Sequence, residues 1–264
     1  MRIAILTDIH GNRPAFEAVL ADLAARGAER IVLLGDYVGY GPDPEWCCER
    51  VMALVAGGAT ALRGNHDDAA AGRPQSMSAL ARAAMDWTRP RLSAAQKAFL
   101  GALPLQAREG EALFTHASAN APSDWIYVTS ETTAAGSFRA CDARLIFCGH
   151  VHVPLLVSRD RGGVVRPQGF RIGAALPMIR SRRWLAVAGS VGQPRDGTPE
   201  AGYLMLDTEP GGGTAAPGAG TVAGGGAVAE LTFLRVPYDA AGVAARSRAL
   251  GLPEELALRL VRGR

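Results

Sequence analysis

All five histidines of the 264-residue sequence fall at or just beyond apolar runs, at His10, His66, His116, His150 and His152. They keep company with carboxylates and one amide, in Asp8-Ile9-His10, Gly35-Asp36, Gly64-Asn65-His66-Asp67 and Gly149-His150-Val151-His152. Imidazole nitrogens, carboxylate oxygens and amide oxygens are ligands for divalent metal ions. The pairs Asp8/His10 and His150/His152 share an i, i+2 spacing, which on extended backbone places both side chains on one side, roughly 6–7 Å apart. Such pairs can serve two ions about 3.5–4 Å apart, as in two-metal hydrolytic sites. His150 would then serve one ion and His152 the other, with Gly149 relieving the backbone where the strand turns.

Taken singly, each of these residues has a plainer explanation. Asp36 reads as a turn or cap residue, Asn65 as a turn residue, and His116 as a hydrogen-bonded core histidine. Five separate ordinary explanations account for the placement of every histidine less well than one shared metal site does.

The elements that must bring these residues together are legible as an alternation. "RIAILTD" (2–8) is an apolar run without helical period, "PAFEAVLADLAARG" (14–27) has helical spacing and a glycine stop, and "RIVLLGD" (30–36) is apolar again. The pattern repeats with a helix over 44–58 and a strand over 59–65. Consecutive βαβ units imply a parallel sheet, whose strand ends lie along one edge. Asp8, Asp36 and Asn65 stand about one such unit apart, so they are expected to converge. Residues 76–101 read as mostly helical with a break at Pro90, and 111–117 and 144–150 as strands. The last third holds short strand-like runs, "PLLVSRD", "WLAVAGSVGQ", "GYLMLDT" and "AELTFLRVPYD", which suggest an antiparallel continuation and a second sheet before a helical tail over 239–262.

Two stretches stand apart in composition. "EPGGGTAAPGAGTVAGGGA" (209–227) reads as a flexible hairpin loop without chemistry. Residues 159–183 carry seven arginines and read as a solvated loop rather than an anion-recruiting flap. The formal net charge of +3 is too small to imply a nucleic-acid surface, and 48% hydrophobic with 20% charged residues is ordinary for a globular chain. The four cysteines form no C-x-x-C pair, and Asp8 and His10 stand where a signal-peptide core would continue. The expectation is a cytoplasmic, soluble protein of one domain over residues 1–264, with no membrane partner and an oligomeric state that composition leaves open.

Together these motifs resemble the calcineurin-like metallophosphoesterases, whose pattern runs D-x-H, G-D, G-N-H-D, H and G-H-x-H. Here it is met in order by Asp8/His10, Asp36, Asn65/His66/Asp67, His116 and His150/His152. "TDIHGN" and "GDYVGYGPDP" look like the compact bacterial branch, which includes small phosphodiesterases and enzymes related to diadenosine tetraphosphatases. The resemblance implies a four-layer αββα sandwich of two mixed β-sheets flanked by helices. It also implies that Asp8, His10, Asp36 and His152 bind one ion, and Asp36, Asn65, His116 and His150 a second, with Asp36 bridging.

An oxygen and nitrogen ligand set without thiolate suits Mn2+, the leading choice, as well as Fe, Zn2+, Co2+ or Ni2+. The expected activity is dinuclear metal-dependent hydrolysis of phosphodiesters, with small, nucleotide-derived phosphate esters as candidate substrates. Competing readings are a phosphomonoesterase, including a protein serine/threonine phosphatase, a dinucleoside polyphosphate hydrolase, and a non-catalytic scaffold. His66, left unligated, is the candidate general acid, with Asp67 either orienting its ring and favouring the imidazolium or capping a helix. Arg63 could hold a phosphate oxygen or form a structural salt bridge. Asn12 could contact phosphate, although a turn role is the stronger reading.

Overall fold

The computed structural model describes residues 1–208 and 229–264. The chain opens with three parallel strands, β1 (Arg2–Leu6), β2 (Arg30–Leu33) and β3 (Thr60–Ala61), joined by α1 (Arg13–Ala25) and α2 (Pro44–Ala56). Asn12 starts α1: its side-chain oxygen accepts from the Ala15 amide at 3.2 Å while Pro14 occupies the first turn. Asn12 therefore has the turn role, and its amide nitrogen donates to Gly192 O at 2.7 Å.

Three helices follow, α3 (Asn65–Ala70), α4 (Ala79–Thr88) and α5 (Ala94–Ala102), the last two separated at Pro90 as the sequence suggests. Ser78 and Ser93 cap them by accepting from the Ala81 and Gln96 amides, both at 3.2 Å. Next come β4 (Gln106–Glu109), β5 (Ala112–Thr115), a single 3₁₀ turn at Pro122–Asp124, α6 (Glu131–Ala140) and β6 (Leu145–Cys148). The strand-rich part comprises β7 (Leu155–Arg159), β8 (Val165–Pro167), β9 (Ala175–Met178), β10 (Arg183–Val187), β11 (Ala201–Asp207) and β12 (Ala229–Val236). The tail forms α7 (Ala240–Ala249) and α8 (Glu254–Arg262).

These strands make two mixed six-stranded sheets, β3-β2-β1-β11-β12-β9 and β4-β5-β6-β10-β7-β8. In the first, β11 pairs antiparallel with β1, so the strand-rich part completes the sheet begun by the βαβ units. In the second, β5, β6 and β10 run parallel. β1 is buried on both faces: Ile3 and Ile5 enter the core between the sheets with Phe114, Phe147, Leu204 and Phe233, while Ala4 and Leu6 face Phe16, Val19 and Val51 of the helices. On the far side, Ile146, Cys148, Leu185 and Val187 pack against Ala134 and Phe138 of α6. The result is an αββα sandwich. Among the described residues, no helix is long and apolar enough to cross a membrane.

Two expectations need correction. β3 is two residues long, because the chain leaves the sheet early to start α3. The arginine-rich 159–183 stretch is not simply a solvated loop, since it contains β8 and β9. Its Arg183 donates to the carbonyls of Phe138, Cys141 and Ala143 at 2.7–2.8 Å, stitching β10 to the end of α6. The glycine-rich tract, expected as a loop at 209–227, lies outside the described residues.

Candidate metal centre

The site forms where the chain leaves the C-terminal ends of β1, β2, β5 and β6, and at the first turn of α3. Asp8, His10, Asp36, His150 and His152 sit past the strands, and all have positive φ, between 49° and 69°. The extended i, i+2 geometry expected for Asp8/His10 and His150/His152 is therefore replaced by left-handed backbone. Such conformations cost on the order of 1–3 kcal/mol each and persist only where the surroundings enforce them. Here the enforcement is a set of loop hydrogen bonds: His10 N to Asp36 O at 2.9 Å, Gly192 N to Asp8 O at 2.9 Å, and Arg195 N to His152 O at 3.1 Å. Gly149, expected to relax the turn, does not have a left-handed φ. It is needed because a Cβ there would run into the side chains of Thr7 and Asp8.

Each carboxylate is divided between structure and site. Asp8 Oδ2 accepts from Thr7 Oγ1 at 2.8 Å and from the His150 amide at 2.9 Å. Asp36 Oδ1 accepts from the His66 amide at 2.8 Å. The other oxygens, Asp8 Oδ1 and Asp36 Oδ2, are buried and have no hydrogen-bond partner among the described residues, and neither has Asn65 Oδ1. Buried acceptors left in this way are costly unless something fills them.

What surrounds those oxygens is imidazole. His152 Nε2 lies 3.2 Å from Asp8 Oδ1, and His10 Nε2 lies 3.7 Å from both Asp8 Oδ1 and Asp36 Oδ2. On the other side of Asp36, His116 Nε2 is 3.4 Å from Oδ2 and 3.2 Å from His150 Nδ1. Among the described residues, three sets of candidate ligand atoms each fall within 4.8 Å: Asp8/His10/His152, His10/Asp36/His66 and Asp36/His116/His150. Separations a little over 3 Å are the edges of a coordination shell with bonds of about 2.0–2.2 Å. Backbone carbonyls aim two of the rings: His152 Nδ1 is 2.6 Å from Gln193 O, and His10 Nδ1 is 3.2 Å from Val38 O. That leaves each Nε2 toward the carboxylates, as a carbonyl bonded to the other ring nitrogen does for metal-bound histidine.

Electrostatics follow from burial and proximity. Burial works to raise both carboxyls, but His152, His10 and His116 around Asp8, and His116, His66 and His10 around Asp36, outweigh it and hold both well below the ordinary range. Burial pushes His66 and His150 down to about 3 and, with help from Arg195, His152 to about 4. For His116 burial is overcome by Asp36, which raises it to about 9.

Two sequence-derived roles do not fit. Asp67 does not touch His66: its carboxylate accepts from the amides of Asp36 at 2.7 Å, Gly64 at 2.9 Å and Tyr37 at 3.0 Å. It caps α3 and ties that helix to the Asp36 loop. Burial, reinforced by the charge of Asp36, also raises the Asp67 carboxyl. Arg63 turns away from the site, pairing with Asp68 at 2.8 Å and donating to the carbonyls of Gly101 and Leu103 at 3.2 and 3.0 Å. The salt-bridge alternative describes it.

A cavity of about 100 Å3 opens beside the cluster, lined by Asp36, Asn65, His66, His150 and His152. Its other walls include Tyr40, Tyr127 and Arg195, none of them singled out from sequence. Tyr127 stacks on His150 with ring centroids 4.1 Å apart, and Tyr40 packs on His66 at 4.5 Å. Tyr40 stands in the same "GDYVGYGP" segment as Asp36, which was the one available signal.

Known proteins are similar to this chain. The calcineurin-like phosphoesterase superfamily domain matches residues 1–211. The protein MJ0912 of Methanocaldococcus jannaschii is 31% identical over 268 residues, covering 99% of this chain and 98% of that protein. A metallophosphoesterase of known structure from Sphaerobacter thermophilus is 37% identical, with a TM-score of 0.81 over 100% of this chain and 99% of its own. The phosphodiesterase YfcE of Escherichia coli strain K12 is 39% identical over 75 residues, which is 25% of this chain and 40% of that protein. The chain belongs to the calcineurin-like phosphoesterase superfamily and is a metal-dependent phosphoric ester hydrolase.

Proposed function

We propose that the protein hydrolyses phosphodiesters, with nucleotide-derived esters as the leading candidates, at a centre of two divalent ions bridged by Asp36. The observation that carries this is Asp36 Oδ2, a buried acceptor without a hydrogen-bond partner among the described residues, flanked by His10 Nε2 at 3.7 Å and His116 Nε2 at 3.4 Å. Asp8, His10, Asp36 and His152 would hold one ion, and Asp36, Asn65, His116 and His150 the other. Mn2+ is our first choice for this oxygen and nitrogen set. When bound, the ions would supply Lewis acidity, neutralising phosphoryl oxygens and bringing a water's pKa toward neutrality.

The chain's own contribution is positioning and proton transfer. Gln193 O and Val38 O fix the His152 and His10 rings, and the backbone bonds of the 8–12 and 188–195 loops hold the ligands in place before any ion arrives. His66 faces the cavity and its Nδ1 has no partner among the described residues. It is suited to donate a proton to the departing oxygen once an anionic phosphate beside it offsets the burial that keeps it neutral. The site draws on residues 8 to 195, and β11, β12 and β9 extend the first sheet, which supports one domain over residues 1–264. The likeness to the E. coli phosphodiesterase favours diesters over monoesters.

The test is elemental analysis of reconstituted protein together with parallel assays on bis-p-nitrophenyl phosphate, p-nitrophenyl phosphate, cyclic nucleotides and dinucleoside polyphosphates. Two ions per chain and a preference for a diester are expected. A single ion would sink the dinuclear reading, and a strong preference for the monoester would sink the choice of diester.

A further inference from the structure

Arg195 is a cation beside the metal centre for which the ligand set has no use. It lies on the loop between β10 and β11, and that loop is locked to the centre. Gln193 O meets His152 Nδ1 at 2.6 Å, Arg195 N donates to His152 O at 3.1 Å, and Arg195 Nη2 donates to Gln193 Oε1 at 3.0 Å. The guanidinium lines the same cavity as Asp36, His66, His150 and His152, with its carbon 5.7 Å from the Tyr40 ring centroid. Its Nε is buried without an acceptor, and it has no ion-pair partner among the described residues. Arg63, by contrast, is consumed by Asp68.

A guanidinium held beside the His152 imidazole and a prospective pair of cations is electrostatically misplaced until an anion lies between them. Its planar fork matches an oxyanion, and a buried N–H without an acceptor calls for one. We propose that Arg195 binds a non-bridging phosphoryl oxygen of the substrate and is the principal protein contact to the phosphate. The contact rests on the functional reading above for the class of ester, but not for the recognition of phosphate itself.

Inorganic phosphate is the probe. Mn2+-loaded wild-type protein, Arg195→Gln and Arg195→Lys are titrated with it calorimetrically, and metal content is measured on the same samples. Removing a charge-assisted bond of this kind should weaken phosphate binding about tenfold to a hundredfold in Arg195→Gln, with metal content unchanged. Arg195→Lys should fall between, because it keeps the charge and loses the fork. For bis-p-nitrophenyl phosphate, KM should rise more than kcat falls. Phosphate affinity within about twofold of wild type in Arg195→Gln would overturn the proposal. So would a parallel loss of metal in both, which would mean that Arg195 acts by holding His152. Should Arg195→Gln not fold, the Lys variant decides by the same criteria. A wild-type protein that binds phosphate through Arg195 yet cleaves no diester would refute the functional reading and still support this one.

Discussion

At the scale of single residues, His66 is where two chemistries meet. Its ring lies edge-on to His10 at 4.8 Å, and it joins His10 and Asp36 in one candidate ligand group, so it could hold an ion or move a proton. His66→Ala separates the two. As a proton donor its loss should cut turnover about 10²- to 10⁴-fold with the metal content intact. Elemental analysis beside steady-state kinetics reads the difference, and loss of an ion would make His66 a ligand. The metal-capable residues were legible in the sequence because histidine is scarce in it and each one follows an apolar run. The roles of Asp67 and Arg63 were not. Both side chains take their direction from partners outside their own strand or turn, Asp67 from the Asp36 and Tyr37 amides and Arg63 from Asp68 and the end of α5. Arg195 escaped notice for the same reason, since nothing in "GQPRDG" says that the chain has doubled back onto His152.

At the scale of elements, the alternation of strand and helix was readable because β1 and the end of β2 are buried and apolar, and α1 and α2 carry helical spacing with proline starts. β4 was not, since "QARE" has neither an apolar run nor a clean alternation and holds its place through pairing with β5. Nor were the left-handed turns at Asp8, His10 and Asp36, because side-chain identity favours that conformation at glycine and only tertiary hydrogen bonds enforce it elsewhere. Close packing makes these turns vulnerable at their neighbours. Gly64 has an ordinary φ of −101°, yet a Cβ there would overlap the Asp36 carboxylate. Gly64→Ala should therefore destabilise the fold by about 1–3 kcal/mol through overpacking and displace the Asp36 carboxylate, weakening metal binding. Denaturant unfolding and metal titration measure the two effects, with Gly169→Ala, whose Cβ meets nothing within 4 Å, as the neutral control. Equal stability and equal metal affinity in the two variants would show that the Gly64 contact relaxes freely.

At the scale of the molecule, the centre depends on a sheet whose halves come from distant parts of the sequence. β1 carries the chain into Asp8, β11 pairs with it antiparallel, and β12 covers β11 with Leu231 and Phe233 directed into the core between the sheets. The segment 209–228 connects β11 to β12, and the register pairs Asp207 with Glu230. The two ends of that segment are thus neighbours across a ladder, the geometry that a two-residue hairpin turn closes. Asp207 and Glu230 also sit at the opposite end of the sheet from the loop after β1 that carries Asp8, since Arg2, the first residue of β1, is the partner of Asp207. Replacing 209–228 with an Asn-Gly turn should therefore leave metal content and hydrolysis unchanged. Closing a shorter loop costs less entropy, by about 0.6 kcal/mol for each halving of its length, so the midpoint of thermal unfolding should hold or rise. A fall in that midpoint would mean that the segment packs on the body of the protein. A fall in hydrolysis at equal stability would mean that it reaches the substrate, and either result would end its reading as a plain connection.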